Sequence, residues 1–435
     1  MTTLRSVQFM RARRMINSAQ EAVVGHIVET GAALLVGPMG SGKTLTALTA
    51  IDECLRGHNT RFLIVAPKKV CEQVWAQEAA KWGLSRLNVS ICTGPPEARA
   101  AGLNSSANVC VINFENLAWL FSNPAQYERF DGLCIDEVTK MKAGGKAFKS
   151  IRRHIRRFST RVAMSGTPVS EDFTGLFYQA MLVDDGKAYG KNKQIWLEKY
   201  FRTTDYRGYK HELISADALL EPFKHNIVTL PSYSAELPAI REHVITVPDC
   251  CTPEYEHLRR HMSVSGVTAA NAAVLTNKLQ QAAGGFLYED DGGTQQIHNH
   301  KLGWLAGSTL GTPAVVVYQY AEELTRLKAL LPGAHEINDL ENWRAGGGVL
   351  LIHPKSAGHG LDLTAAAVMV FMSPIWSRDL TRQTIARVWR RGQRRACEVY
   401  TLVGADTIEE QIVARERGKA AYHAVLLSAL RDFRA

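Results

Sequence analysis

A glycine-rich stretch, GPMGSGKT at residues 37–44, holds the most readable chemistry of this chain. Gly37 and Gly42 match the pattern that lets successive backbone N–H groups wrap phosphate oxygens, with Gly40 and Ser41 inside the same loop. Lys43 would reach the β- and γ-phosphates of a nucleoside triphosphate, and the Thr44 hydroxyl would hold a magnesium ion. Asp136 and Glu137 end the apolar run GLCIDE. An Asp at a strand tip can coordinate magnesium, and the neighbouring Glu can orient and deprotonate an attacking water. SGTP at residues 165–168 sets Ser165 and Thr167 where they could sense the phosphate state, although an ordinary Gly-Thr-Pro turn has the same letters.

A second constellation lies far downstream in QTIARVWRRGQ, residues 383–393. If residues 378–391 are helical, Gln383, Arg387 and Arg390 share one face, while Ile385, Val388 and Trp389 lie opposite. Guanidinium groups stay charged and match phosphate oxygens with a planar fork. A solvated basic helix is the plain alternative. The upstream loop favours the sharper reading: Arg387 and Arg390 act on the triphosphate, Gln383 lies beside them, and the site is completed across a domain interface.

The elements that must position these residues alternate. ALLVG (33–37) reads as a strand running into the loop, and TLTALTAIDECL continues as a helix. RFLIVAP (61–67), VCVIN (109–113), GLCIDE (132–137) and RVAMSG (161–166) read as further strands, with VCEQVWAQEAAKW as one helix. Such alternation predicts an α/β fold with mostly parallel sheets flanked by helices, and ligands bind at the carboxyl ends of such strands. A helical accessory region is expected over about 173–230. LPSYSAELP (230–238) marks the boundary, giving domains 1–235 and 236–435. The second domain repeats the alternation in PAVVVYQY, GGVLLIHP, AAVMVFM and CEVYTLV, and TIEEQIVARERGKAAYHAVLLSAL closes the chain as a helix.

At 435 residues the chain exceeds one ordinary core. With 46% hydrophobic and 21% charged residues it has a soluble globular composition. No apolar run is long enough to span a bilayer, and MTTLRSVQF lacks the apolar core of a signal peptide, so a cytoplasmic location without a membrane partner is expected. The eight cysteines form no CxxC and read as small buried apolar residues. Cys250 with Cys251, and His298 with His300, lack a second ligand pair at zinc spacing. A net charge of +9 favours a polyanionic partner. Between Lys140 and Arg161 nine Lys or Arg and no acid accompany Phe148, Ile151, Ile155 and Phe158 at helical spacing. That pattern predicts a helix with an apolar stripe and a basic side suited to nucleic-acid phosphates.

Taken in order, the phosphate loop, Asp136 with Glu137, Ser165 to Pro168 and Gln383 to Gln393 resemble the motif series of superfamily-two helicases and translocases. Within these the chain looks like the Swi/Snf-type branch, particularly its compact bacteriophage versions with DEAD/DEAH-like acidic boxes. LIVAPKKVCEQVWAQEAAKW, VINFENLAWL and HPKSAGHGLDLT resemble further motifs of that family. The resemblance implies two RecA-like domains with ATP and magnesium in the cleft between them, and Arg387 and Arg390 as arginine fingers. It also implies that Gln20 reads adenine, and that Lys68, Asn113, Tyr318, Ser356 and Gly358 face a nucleic-acid track. Asp362 stands where relatives often have Asn, which would weaken contact with a phosphate backbone.

An ATP-dependent DNA helicase or duplex translocase follows, acting without base specificity on duplex or forked DNA, as a monomer alongside replication or recombination proteins. Two other readings fit the same residues. One is an ATP-binding assembly or regulatory protein without motor activity; the other is an RNA-directed helicase.

Overall fold

The computed structural model describes residues 16–56, 61–141, 144–169, 173–204, 211–231, 236–264, 266–356 and 361–415. They divide into two compact units, the break falling between Tyr233 and Ser234.

The first unit is built on β1 (Ala32–Val36), β2 (Phe62–Ala66), β3 (Val89–Ile91), β4 (Val109–Asn113), β5 (Gly132–Ile135) and β6 (Thr160–Ser165). β7 (Phe201–Thr203) and β8 (His211–Leu213) form a separate antiparallel hairpin, and β9 (Ile227–Thr229) returns to the main sheet. Its order is β3-β4-β2-β5-β6-β1-β9, with every pairing parallel. β1, β2, β4 and β5 are buried along their whole length, as continuous apolar runs require when helices cover both faces. The period-two alternation then splits each strand between two cores. Leu34, Val36, Leu63, Val65, Leu133 and Ile135 face one side. Ala33, Leu35, Phe62, Ile64, Val111 and Cys134 face the other.

The second unit carries β10 (Ile240–Val247), the small hairpins β11 (Ser263–Val264) with β12 (Val267–Thr268) and β13 (Phe286–Tyr288) with β14 (Thr294–Gln296), then β15 (Ala314–Val317), β16 (Val349–Ile352), β17 (Val368–Phe371) and β18 (Cys397–Gly404). Its main sheet is parallel, ordered β10-β18-β17-β15-β16. Val315, Val317, Met369 and Phe371 face one core, and Val316, Leu351, Val370 and Leu402 the other. Each unit is thus a RecA-like parallel sheet between helical layers. Among the described residues no helix is long and apolar enough to cross a membrane.

Several elements are shorter or more broken than the spacing predicts. The segment after β2 is two helices, Lys68–Gln73 and Trp75–Lys81, joined at Val74. The basic segment folds as a helix at Lys146–Arg152 and a 3-10 turn at Ile155–Arg157. Its apolar stripe survives the break, because Phe148, Ile151, Ile155 and Phe158 are all buried. Its basic side is not wholly free. Arg152 and Arg156 both pair with Asp185, at 3.2 and 2.6 Å, while Lys146, Lys149 and Arg153 are exposed and make no ion pair among the described residues. The region 173–230 mixes helices with the β7–β8 hairpin and supplies β9 to the sheet, so it is not purely helical. The closing helix expected from Thr407 lies outside the described residues beyond position 415.

Candidate nucleotide-binding site

β1 pairs with β6 so that Val36 lies opposite Ser165, and β5 pairs with β6 on its other side. Three loops therefore leave the sheet together at its carboxyl edge: the glycine loop after β1, the acid pair after β5 and SGTP after β6. This is the edge where open parallel sheets bind ligands. Gly40 and Gly42 have φ of +75° and +82°, the left-handed region that a side chain would strain. A Cβ at Gly37 would lie 2.6 Å from Ser41 Oγ, so the loop has no room for one. The Ser41 hydroxyl is buried without a hydrogen-bond partner among the described residues. A loop that leaves such a donor unfilled fits an anionic oxygen ligand.

Lys43 opens the helix Lys43–Cys54, with Thr44 half-buried beside it. The Lys43 ammonium donates to Gly37 O at 2.5 Å and Pro38 O at 2.9 Å, folding over the loop. Burial pushes its pKa down to about 8, against the opposing pull of the Asp136 and Glu137 charges. The Asp136 N–H donates to Val65 O, which fixes the tip of β5. Burial pushes the Asp136 carboxyl up to about 6, with Lys43 pulling it back. Both groups carry charges that protein contacts alone do not fully compensate. A metal and a triphosphate are what Asp136 and Lys43 are suited to hold.

Glu137 sits at φ +56°, a conformation that costs a non-glycine residue roughly 1–2 kcal/mol. Such strain collects where a side chain must be aimed. Lys140 Nζ lies 3.9 Å from Glu137 Oε2, although in sequence this cation stands out only as the start of the basic run. Its i,i+3 spacing from Glu137 was the available signal. In SGTP the Ser165 carbonyl accepts from the Gly37 N–H at 3.2 Å, and a Cβ at Gly166 would lie 3.9 Å from Lys43 Nζ. Ser165 Oγ also accepts from the Thr167 N–H, so the segment is both an ordinary turn and a neighbour of the loop. The buried Gln179 amide pins it by donating to Pro168 O at 2.6 Å.

Gln20 reaches the same loop by a local route. Asn17 and Gln20 form a capping box at the start of helix Ser18–Thr30. Gln20 Oε1 accepts from the Asn17 N–H and its Nε2 donates to Ser41 O at 3.3 Å. Both ends of this amide are engaged by the protein.

In the second unit the arginine-bearing helix spans only Arg378–Ile385, with Gln383 half-buried on it, and a turn carries Arg387 and Arg390. Past Ile385 the bonding tightens, Arg387 N–H donating to Thr384 O and Val388 N–H to Ile385 O, and the next carbonyls find other partners: Arg387 O accepts from Leu363 N–H, and Val388 O from Gln393 Nε2. The buried Gln393 amide also reaches Thr364 O and Ala366 O, while its Oε1 accepts from the Arg394 and Arg395 N–H groups. Ile385 and Val388 are buried as expected, and Trp389 Nε1 donates to Pro238 O. Arg390 Nη1 donates to Leu361 O at 3.3 Å. Asp362 is turned onto its own loop, accepting from the Thr364 N–H and hydroxyl. Burial would raise its pKa, but these bonds and the Arg390 and Arg344 charges hold it below the usual carboxylate range.

The expected nucleic-acid residues fall in several environments. Lys68 is exposed just after β2. Asn113, at the tip of β4, is buried, with its amide bonded to Glu115 and Asn116. Tyr318 follows β15 and packs edge-on against His353, and Ser356 lies in the turn after β16. Gly358 is outside the described residues.

A parallel sheet whose first strand feeds a glycine loop and helix, with an acid pair on a nearby strand tip, is the RecA-like form of the phosphate-loop fold. Residues 4–214 match the model of the SNF2-related domain, which bears out the Swi/Snf-type resemblance of the motifs. Protein p41 of Acyrthosiphon pisum secondary endosymbiont phage 1 is 28% identical over 449 residues, covering 95% of this chain and 98% of that protein. The human DNA repair and recombination protein RAD54-like is 37% identical over 84 residues, which are 19% of this chain and 11% of that protein. The chain thus matches only a small part of that repair protein's length. The Sulfolobus solfataricus SWI2/SNF2 ATPase core in complex with dsDNA aligns over 96% of both chains at 16% identity and a TM-score of 0.45.

Proposed function

We propose that this chain is a magnesium- and ATP-dependent motor that moves on duplex or forked DNA, as a helicase or a duplex translocase. The observation that carries the proposal is the convergence of Lys43, Thr44, Asp136, Glu137 and Ser165 at one sheet edge, within an SNF2-related domain. The glycine loop binds the phosphates through backbone N–H groups and Lys43, and Gln20 borders it on the base side. Thr44 and Asp136 hold magnesium, which supplies positive charge to the triphosphate oxygens. Glu137 aims and deprotonates the attacking water. Arg387 and Arg390 bring positive charge to the transferring phosphoryl from the second unit, with Gln383 beside them. Repeated completion and release of that charge would couple hydrolysis to movement.

The SNF2-related domain, the DNA repair and recombination names of the relatives and the net charge of +9 support DNA as the polymer. Lys68, Asn113, Tyr318, Ser356 and Gly358 are proposed for the track, and the exposed Lys146, Lys149 and Arg153 add phosphate contacts. The test is phosphate release measured with no nucleic acid, single-stranded DNA, duplex DNA, forked DNA and RNA. Stimulation by duplex or forked DNA, weakening steeply with salt, is expected. A rate indifferent to DNA would overturn the proposal, and stimulation by RNA alone would replace the polymer.

A further inference from the structure

The opposite, amino-terminal edge of the first unit's sheet contains a cavity of about 490 Å³, within the range of small-molecule sites. Thr30, Arg161, Asp184, Lys187, His225 and Asn226 line it. Arg161 is the second residue of β6 and Asn226 immediately precedes β9, so the cavity lies at the far ends of the strands whose other ends bear the nucleotide motifs.

Its lining holds more basic side chains than carboxylates, and Asp184 and Asp185 act on Arg161 only through space. Asp184 is the one lining carboxylate, and three backbone N–H groups already occupy it: Gly186 and Lys187 on Oδ1, Ala188 on Oδ2, at 2.8 to 3.1 Å. The neighbouring Asp185 is paired with Arg152, Arg156 and Lys191. Arg161 makes no ion pair among the described residues, and its Nε is buried there without a hydrogen-bond partner. Lys187 is exposed at the cavity and likewise makes no ion pair among them. His225 packs edge-on against His26 at 5.2 Å, and His26 Nε2 is also buried without a partner. An ammonium, a guanidinium, a side-chain amide and an imidazole around a cavity of this size are the donor set of an anion site.

We infer that this cavity is a second phosphate-group site, distinct from the glycine loop, in which Arg161 and Lys187 hold the anion. Its source is a free phosphate compound or a nucleic-acid backbone phosphate. The experiment is calorimetric titration of pyrophosphate into full-length Lys43→Ala protein, which weakens the glycine loop as a competing site. Binding should fall about tenfold or more when Arg161→Met is added, the loss expected for a charge-assisted bond. Lys187→Gln, on an exposed side chain that leaves the fold intact, should weaken it several-fold. A short DNA duplex that displaces pyrophosphate assigns the site to nucleic acid; failure to displace it assigns the site to a free phosphate compound. Absence of binding in the millimolar range, or equal affinity in all three proteins, overturns the inference.

Discussion

Replacing Gln393 tests whether one buried amide holds the arginine segment in place. Its Nε2 lies within bonding distance of three carbonyls but has only two hydrogens, and its Oε1 accepts two N–H groups. Gln393→Ala therefore removes four bonds at once. At roughly 1 kcal/mol each the ceiling is about 4 kcal/mol, and exposure of Arg394 and Arg395 lets water recover part of it. A local loss of about 2–3 kcal/mol is expected, which converts to roughly 30- to 150-fold more of the open state and exchange faster in proportion. Hydrogen exchange on the full chain reads this directly in peptides covering 361–366 and 384–395, above all at the Leu363 N–H that donates to Arg387 O. ATP turnover should fall in parallel if Arg387 and Arg390 act from this turn. Unchanged exchange in both peptides would refute the idea that the amide organises the segment.

Three further outcomes are expected. Asp136 titrates near 6 in the folded chain and near 3.9 when unfolded, so the folded form holds an extra proton between these values and stability falls as pH rises through that window. Nucleotide-free Asp136→Asn should consequently melt above the parent at pH 7 and with it near pH ~3.5; identical melting curves at both would contradict the burial argument. Glu137→Gln should still bind a fluorescent ATP analogue while phosphate release drops by about 10²–10⁴-fold, and weakened binding in equal measure would remove Glu137 from the water-activating role. Arg390→Ala should keep nucleotide affinity within several-fold and lower kcat on the order of a thousandfold; normal turnover would sink the split-site proposal.

The central strands were legible because parallel strands buried on both faces are short continuous apolar runs, whereas the edge strands β3, β9 and β10 are partly exposed and lack that signal. VCVIN at 109–113 matches β4 residue for residue. The loop chemistry was legible because glycine spacing and Lys43 act through adjacent residues. Helix ends were less so. Residues 378–391 keep a helical pattern of side chains, yet the helix stops at Ile385, and the Arg387 and Val388 carbonyls past its end are taken by the distant Leu363 N–H and by the Gln393 amide. Lys140 was read as part of a basic run, and only the turn after β5 sets it beside Glu137.

By itself the sequence determined the phosphate loop, the acid pair, the arginine turn and the alternating strands, since each is written in residues close along the chain. Tertiary structure alone decided the strand order that brings the tips of β1, β5 and β6 together. It also decided the engagement of the Gln20 and Asn113 amides by neighbours, and the burial at the far edge of an Arg161 Nε that has no hydrogen-bond partner among the described residues. Those outcomes depend on pairings between residues far apart in sequence, where local periodicity carries no information about which partner will be met.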